Sequence, residues 1–407
     1  MARRIFISVG EASGDQHAAQ LIRELRALEP DLIIEGVGGP AMRAAGATVH
    51  HDTVTRAAMG LETIFRYFEI RAILKWCAKY FASNPPDLQI CIDSWMMNWH
   101  WAKLAHDHKI PVLYYIAPQV WASRPGRVKR MARYVDHVAC ILPFEEKFFR
   151  DHGINATFVG HPLFDALHVP DERPASARFP NQPPVIALIP GSRKNVAKRN
   201  FPQLLDVSER ILRKFPQARF LIPTMPSTHD VVKQWLLWKP GATLQFVEGG
   251  LEKIGPRTMG LSRDDKNYFD EFIPQCDLCL AVSGTATLHA AALNVPMIAV
   301  YRLSPIVWNI GARWFINTRT YSLVNLLSSR SEKIVPEFIP WYGSNQPVTD
   351  KALEYLEHSQ LLDEQRAQLR EVISKMNQPG ASRNTAKVAI ELLNRHGGLP
   401  NSGASQS

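Results

Sequence analysis

The sequence predicts an α/β protein built from two doubly wound domains, and three observations carry that expectation. Short apolar runs alternate with helical patterns over most of the chain, as parallel strands covered by helices require. The alternation restarts after a proline-rich, poorly periodic stretch at 168–184, HVPDERPASARFPNQPP, which reads as a linker. At 407 residues the chain is also too long for one hydrophobic core.

In the first half, residues 4–9 form a strand pattern that breaks into Gly10-Glu11-Ala12-Ser13-Gly14-Asp15 and resumes as a helix over 15–28. LIIEGVGG at 32–39 gives a second strand and a glycine turn, and DLQICID at 87–93, PVLYYIA at 111–117 and HVACILP at 137–143 are further strands. ATFVGHPL closes this half. The second half restarts with VIALIPGSR at 185–193, followed by ARFLIPTM, TLQFVEG, LCLAVSG and VPMIAVYR. Residues 351–395 read as helical and 396–407 as a disordered tail. The expected division is 1–168, 184–345, a helical return of 346–395 toward the first domain, and the tail. In such sheets ligands sit at the C-terminal ends of the strands, here in a crevice between domains.

The net charge of +9 and pI near 9.3 suit an anionic partner: phosphate, nucleotide, nucleic acid or an acidic membrane surface. No apolar run is long enough to span a bilayer, and Met1-Ala2-Arg3-Arg4 leads straight into a strand pattern. Five irregularly spaced cysteines do not make a disulfide scaffold, and Cys276-x-x-Cys279 lies in an apolar strand run without a second ligand pair. The chain reads as cytoplasmic. ETIFRYFEIRAILKWCAKYF at 62–81, drawn as a helix, puts Phe65, Ile73, Trp76 and Tyr80 on one face and Arg71, Lys75 and Lys79 on another. That pattern by itself is better explained by an ordinary surface helix; the other reading is an interfacial helix on anionic lipid. WNIGARWFINTR at 308–319 repeats the mixture.

Three strand-to-helix turns share small residues and hydroxyls where a helix begins: 10–15, PGSR at 190–193, and SGTATLH at 283–289. Glycine lets a ligand approach the backbone, and the exposed N–H groups with the helix dipole attract anions. Arg193 adds a planar fork suited to a diphosphate, and Arg302 is a second candidate. None of the turns has P-loop or dinucleotide spacing, and each taken singly is better explained by helix capping; two in one half, with Arg193 and Arg302, favour a nucleotide-diphosphate site. Asp93 and Asp15, at strand ends, are candidate general bases or caps. Metal-hydrolase and serine-hydrolase signatures are lacking.

Taken together, VGEASGD at 9–15, GVGGPAMRAAG at 36–46, AAMG at 57–60, ICID at 90–93, YIAPQVWASR at 115–124, LPFEEKFF at 142–149 and FVGHPLFDAL at 158–167 resemble the lipid-A-disaccharide synthase family. LIPGSR at 188–193, SGTATL at 283–288, VPMIAVYR at 295–302 and YSLVNLLSSR at 321–330 continue the resemblance through the second half. It implies an inverting glycosyltransferase of the two-domain GT-B type, peripheral on the inner face of the bacterial inner membrane. The implied donor is UDP-2,3-diacylglucosamine and the implied acceptor 2,3-diacylglucosamine 1-phosphate, giving UDP and the β-1,6-linked disaccharide 1-phosphate. Asp93 would be the base. Gly191, Ser192, Arg193, Ser283, Gly284, Thr285, Ala286, Thr287, His289, Arg302 and Asn325 would serve the donor. Glu11, Ser13, Gly14, Asp15 and Asn98 would serve the acceptor. No cofactor, metal or nucleic acid is implied; a homodimer and an anionic membrane surface are.

The chain departs from the family's pattern at several points. Met96 stands where a second acid is usual, Ser123 replaces the second Trp of Trp-Ala-Trp-Arg, and His289 replaces the acid after SGTATL. Residues 248–272 are longer and more polar than usual, and PEFIP lacks an expected glutamine. A paralogous transferase with another sugar or acceptor, or a silent homologue that binds nucleotide or lipid, are the alternatives these departures raise.

Overall fold

The computed structural model describes residues 2–55, 63–122, 126–167, 182–238, 245–248, 258–263, 268–304, 320–328 and 330–397. The AAMG stretch at 57–60, Ser123, Arg124, the 308–319 segment, most of the linker and of 249–267, and the tail beyond 397 lie outside them. The chain divides into two compact units: residues 1–166 with 376 onward, and residues 167–375.

The first unit carries a sheet of β1 (Arg4–Val9), β2 (Ile33–Gly38), β3 (Thr48–Asp52), β4 (Leu88–Ile92), β5 (Val112–Tyr115), β6 (His137–Cys140) and β7 (Asn155–Phe158). Its order is β3-β2-β1-β4-β5-β6-β7, and every pairing is parallel. The second holds β8 (Val185–Ile189), β9 (Arg219–Thr224), β10 (Gln245–Glu248), β11 (Thr258–Arg263), β12 (Leu278–Val282), β13 (Met297–Arg302) and β14 (Glu337–Trp341). The order there is β10-β11-β9-β8-β12-β13-β14, again parallel throughout. Both sheets are doubly wound. Their direction of winding reverses between β1 and β4 in the first and between β8 and β12 in the second.

Central strands are buried on both faces, which is why they read as unbroken apolar runs: LQICI, VLYY, VIALI and LCLAV are wholly buried. On one face of the first sheet, helix Ala12–Leu28 packs Leu21, Ile22 and Leu25 beside Ala386, Ala389 and Leu393 of helix Ala381–Gly397. On the other, Cys77, Phe81 and Trp101 come from helices Thr63–Ser83 and Trp95–Asp107. Each such large apolar side chain contributes roughly 1.5–3 kcal/mol through burial.

The helices of residues 346–397 do not act as one block. Gln346–Glu357 and Ser359–Met376 belong to the second unit, where Gln365 is buried and bonds the main chain of Met297 and Ile334. Ala381–Gly397 belongs to the first. Its N-terminus is capped from afar: the Asp165 carboxylate accepts from the N–H groups of Gly380, Ala381 and Ser382 at 2.9, 2.8 and 3.0 Å. Asn384 also donates to the Val159 carbonyl at 3.1 Å.

Candidate active site

The reversal between β1 and β4 sets two chain turns side by side. After β4 the chain passes through Asp93 and Ser94, with φ of +53° and +42°, before entering helix Trp95–Asp107. Two successive non-glycine residues in the left-handed region cost about 1–2 kcal/mol each, and such strain persists only where neighbours over-determine it. Here they do. The Asp93 carbonyl accepts from Tyr114 Oη at 2.8 Å and Asn98 Nδ2 at 2.9 Å, and its N–H donates to the Tyr115 carbonyl at 3.1 Å. Asn98 also donates to the Ile92 carbonyl and accepts from Ser8 Oγ, which in turn accepts from Gln89 Nε2. With the main chain pinned, the partly exposed Asp93 carboxylate is held beyond the strand end, with Ser13 Oγ 3.5 Å from Oδ2.

The turn after β1 is shorter than the sequence pattern predicts. The helix begins at Ala12, with Glu11 at its N-cap, so Ser13, Gly14 and Asp15 lie in its first turn. Gly14 is needed for close packing: a Cβ there would stand 2.9 Å from Val9 Cγ1, with Asp93 Cβ at 3.8 Å. Glu11 and Ser13 are exposed, and Ser13 lies beside Asp93.

Two of the acceptor-side residues named above have other work. Asp15 is 2 % exposed, and its carboxylate accepts from Gly39, Ala41 and Met42 N–H at 2.9–3.1 Å, capping helix Pro40–Ala44. Asn98 is fully buried with both amide protons and its oxygen engaged. Asn98 holds the chain at Asp93, whereas Asp15 holds the turn at Gly39–Met42.

In the second unit the turns after β8, β12 and β13 lie next to one another, because those strands are neighbours in the sheet. Gly191 has φ +97°, and Ser192 and Arg193 are exposed at the start of helix Lys194–Lys214. Lys194, Lys198 and Arg199 add positive charge to its first turns. After β12, Ser283 Oγ donates to the Tyr321 carbonyl, while Gly284 and Thr285 are exposed at the head of helix Thr285–Ala292 and Ala286 is half-buried. At the end of β13 the Arg302 N–H donates to Asn200 Oδ1 at 2.6 Å. Its guanidinium stands over Trp341 at 5.9 Å, and Nη1 is shut from solvent with no hydrogen-bond partner among the described residues. A buried, unsatisfied cationic donor beside two helix starts is suited to an anion.

Two donor-side candidates also turn inward. Thr287 is fully buried and bonds the Gly284 carbonyl. Asn325 donates to the Val335 carbonyl and to Glu337, and accepts from the Val335 N–H. Both amide protons and the amide oxygen are engaged there, so the side chain ties helix Leu323–Leu327 to Val335 and Glu337. His289 does remain partly open: its Nε2 meets Asp270 Oδ1 at 2.5 Å and its ring stacks on Phe269.

Sequence reasoning misses Ser8, Gln89 and Tyr114, because buried polar residues inside apolar strand runs leave no spacing signal. It misses His17 too, although that residue follows Ser13 by one helical turn. Burial holds the His17 imidazole below the usual value against the raising fields of Asp93 and Asp165, and Nδ1 is buried without a partner among the described residues. Among the described residues no three His, Cys, Asp or Glu side chains gather to hold a metal, and no helix is long and apolar enough to cross a membrane.

A family model described as lipid-A-disaccharide synthetase matches residues 5–391. The chain belongs to that family. It is 34 % identical over 400 residues to a lipid-A-disaccharide synthase of Geobacter metallireducens, covering 97 % of this chain and 98 % of the relative. Identity to the synthase of Myxococcus xanthus is 32 % over 394 residues, covering 96 % and 97 %. Family membership makes this a glycosyltransferase of lipid A biosynthesis. Among solved structures, a Staphylococcus aureus MnaA–UDP co-structure superposes with a TM-score of 0.61 at 12 % identity, covering 96 % of this chain and 98 % of its own. UDP-GlcNAc 2-epimerase from Neisseria meningitidis bound to UDP-GlcNAc gives 0.54 at 11 % identity, covering 96 % and 100 %. At that identity the likeness speaks to the two-domain fold, which is the GT-B-type arrangement the synthase family's motifs imply.

Proposed function

We propose that this chain transfers 2,3-diacylglucosamine from UDP-2,3-diacylglucosamine to 2,3-diacylglucosamine 1-phosphate, releasing UDP and forming the β-1,6-linked disaccharide 1-phosphate. The observation that carries this reading, beyond family membership, is the Asp93 carboxylate held in a strained, fully braced turn at the winding reversal of the first sheet. In the reaction Asp93 takes the proton of the acceptor's 6-hydroxyl as that oxygen bonds to the anomeric carbon. The bond from that carbon to the UDP oxygen breaks with inversion, and its electron pair leaves with UDP. Charge growing on the diphosphate is met by Arg193, Arg302 and the starts of helices Lys194–Lys214 and Thr285–Ala292. Glu11 and Ser13 are the acceptor-side contacts that remain exposed.

The substrates are acylated, and the first unit carries a surface fit for the anionic lipid on which they reside. Met96 is 82 % exposed at the head of helix Trp95–Asp107. Beside it, Arg127 and Arg130 of helix Gly126–Tyr134 lie over the Trp95 and Trp99 rings at 5.8 and 4.6 Å. Phe68, Arg71, Lys75 and Lys79 are exposed on helix Thr63–Ser83. Apolar and basic groups together favour peripheral binding at the inner membrane face. Met96 at the position of the family's second acid fits such a lipid-facing use.

The test is an assay of purified protein with both diacylated substrates, reading UDP and disaccharide 1-phosphate by mass. Both products are expected. UDP-sugar hydrolysis without disaccharide would contradict the assigned acceptor.

A further inference from the structure

Two departures from the family's pattern in the second unit, the His289 imidazole and the polar 248–272 stretch, meet in one contact. Helix Tyr268–Phe272 ends that stretch, and its Asp270 carboxylate lies 2.5 Å from His289 Nε2. Phe269 stacks on the same ring, with centroids 4.3 Å apart and planes 27° from parallel. We propose that Asp270, with Phe269, locks His289 as the group that recognises the sugar of the bound nucleotide, which makes Asp270 a positioning residue for the donor. The proposal rests on the donor reading of the second unit given above.

His289 is four residues beyond Thr285, so it sits on the same helix face one turn further along, about 6 Å from the helix start. A nucleoside diphosphate whose phosphates meet the N–H groups at that start carries its ribose hydroxyls about one such step away. An ionised carboxylate only accepts hydrogen bonds, so contact with Asp270 keeps a proton on Nε2. Nδ1 then has no partner among the described residues, and the side chain stays 24 % exposed. A surface histidine ordinarily samples several rotamers. Here a stacked ring and a charged hydrogen bond hold one, so little ordering is left for the ligand to impose. As an exposed ion pair alone the contact is worth little to stability, since such pairs contribute at most about 1 kcal/mol.

The experiment measures, by calorimetry on the full chain, binding of UDP and of inorganic pyrophosphate. The proteins are wild type, Asp270→Ala, His289→Ala, the double variant, and His289→Glu with and without Asp270→Ala. Asp270→Ala and His289→Ala should each weaken UDP about tenfold. The double variant should be no weaker than His289→Ala, because Asp270 acts through the ring. Pyrophosphate, which has no ribose, should bind all of them alike. The carboxylate introduced by His289→Glu reaches the sugar without support from Asp270, whose like charge opposes it, so in that background Asp270→Ala should not weaken UDP. UDP affinity unaltered in Asp270→Ala, or UDP and pyrophosphate weakened together, would overturn the proposal while leaving the donor site in place. A wild-type protein that binds pyrophosphate but not UDP would overturn the donor reading and the proposal with it.

Discussion

Asn98 donates its side-chain amide to the main-chain oxygen of Asp93 at 2.9 Å, although it contributes no group to any ligand. The same amide reaches the Ile92 carbonyl at 2.8 Å, and together these bonds hold the left-handed turn that displays the carboxylate. Asn98→Ala takes one of two donors from the Asp93 carbonyl, which keeps Tyr114 Oη, removes the side-chain donor to the Ile92 carbonyl and leaves buried Ser8 Oγ without its amide acceptor, a loss of about 1–3 kcal/mol. Turnover should fall by at least tenfold, while UDP affinity, assigned by the proposal to the second unit, stays at the wild-type value. Parallel kinetics and UDP titration check this.

The strain at the same turn can be read directly. Ser94 adopts φ +42° with no side-chain cap on the helix it precedes. Ser94→Gly should stabilise the protein by about 0.5–1 kcal/mol, because glycine enters this region freely. A Tm unchanged or lowered would show that the turn stores no strain.

Most central strands, the turns after them and Asp93 are legible in the sequence because a parallel sheet buried on both faces leaves unbroken apolar runs; β11 is not, although it lies between β10 and β9, because TMGLSR in the polar 248–272 stretch forms no such run. β3 and β14 are not, for they are edge strands, largely half-exposed, and carry polar residues such as His50, His51 and Glu337. Asp15, Asn98 and Asn325 stand in the right motifs for ligand contact. Motif position does not tell whether a carboxylate or amide faces outward or spends its bonds on the chain. Asp270 leaves no signal, since its meaning depends on His289, nineteen residues away in sequence.

Arg193 and Arg302 should differ in what they contribute. Arg193→Ala removes an exposed fork at a helix start and should weaken UDP by about 1.5–3 kcal/mol, roughly ten- to hundredfold. Arg302→Ala should weaken UDP similarly without loss of Tm, because Nη1, shut from solvent with no partner among the described residues, returns little to the unliganded fold. Calorimetry with differential scanning of the same samples separates the two effects.

Glu145 gives the first unit a pH-dependent stability. Burial pushes its carboxyl up to about 7, against the lowering effect of hydrogen bonds from Trp121 Nε1 and the Leu142 N–H. A folded value above the unfolded one means that the folded state holds the proton more tightly. Its contribution is therefore full below about pH 4.5 and is lost as pH rises to about 7, a change on the order of 3 kcal/mol. Unfolding free energies from pH 5 to 7.5 should fall in wild type and fall less in Glu145→Gln.

Asp165→Ala removes the acceptor for three N–H groups at the head of helix Ala381–Gly397. Loss of such a cap costs about 1–2 kcal/mol. Hydrogen exchange should rise first in residues 381–397, ahead of the sheet they cover.

The most direct test of Asp93 as the base is Asp93→Asn, which keeps the size of the side chain and removes its basicity. Turnover of the two diacylated substrates and UDP binding would be measured on the same preparation. The expected result is turnover lowered by at least a hundredfold, as loss of a general base implies, with UDP affinity unchanged. Turnover within a few fold of wild type would contradict the assignment, and His17, which feels the charge of Asp93, would be the next residue to replace.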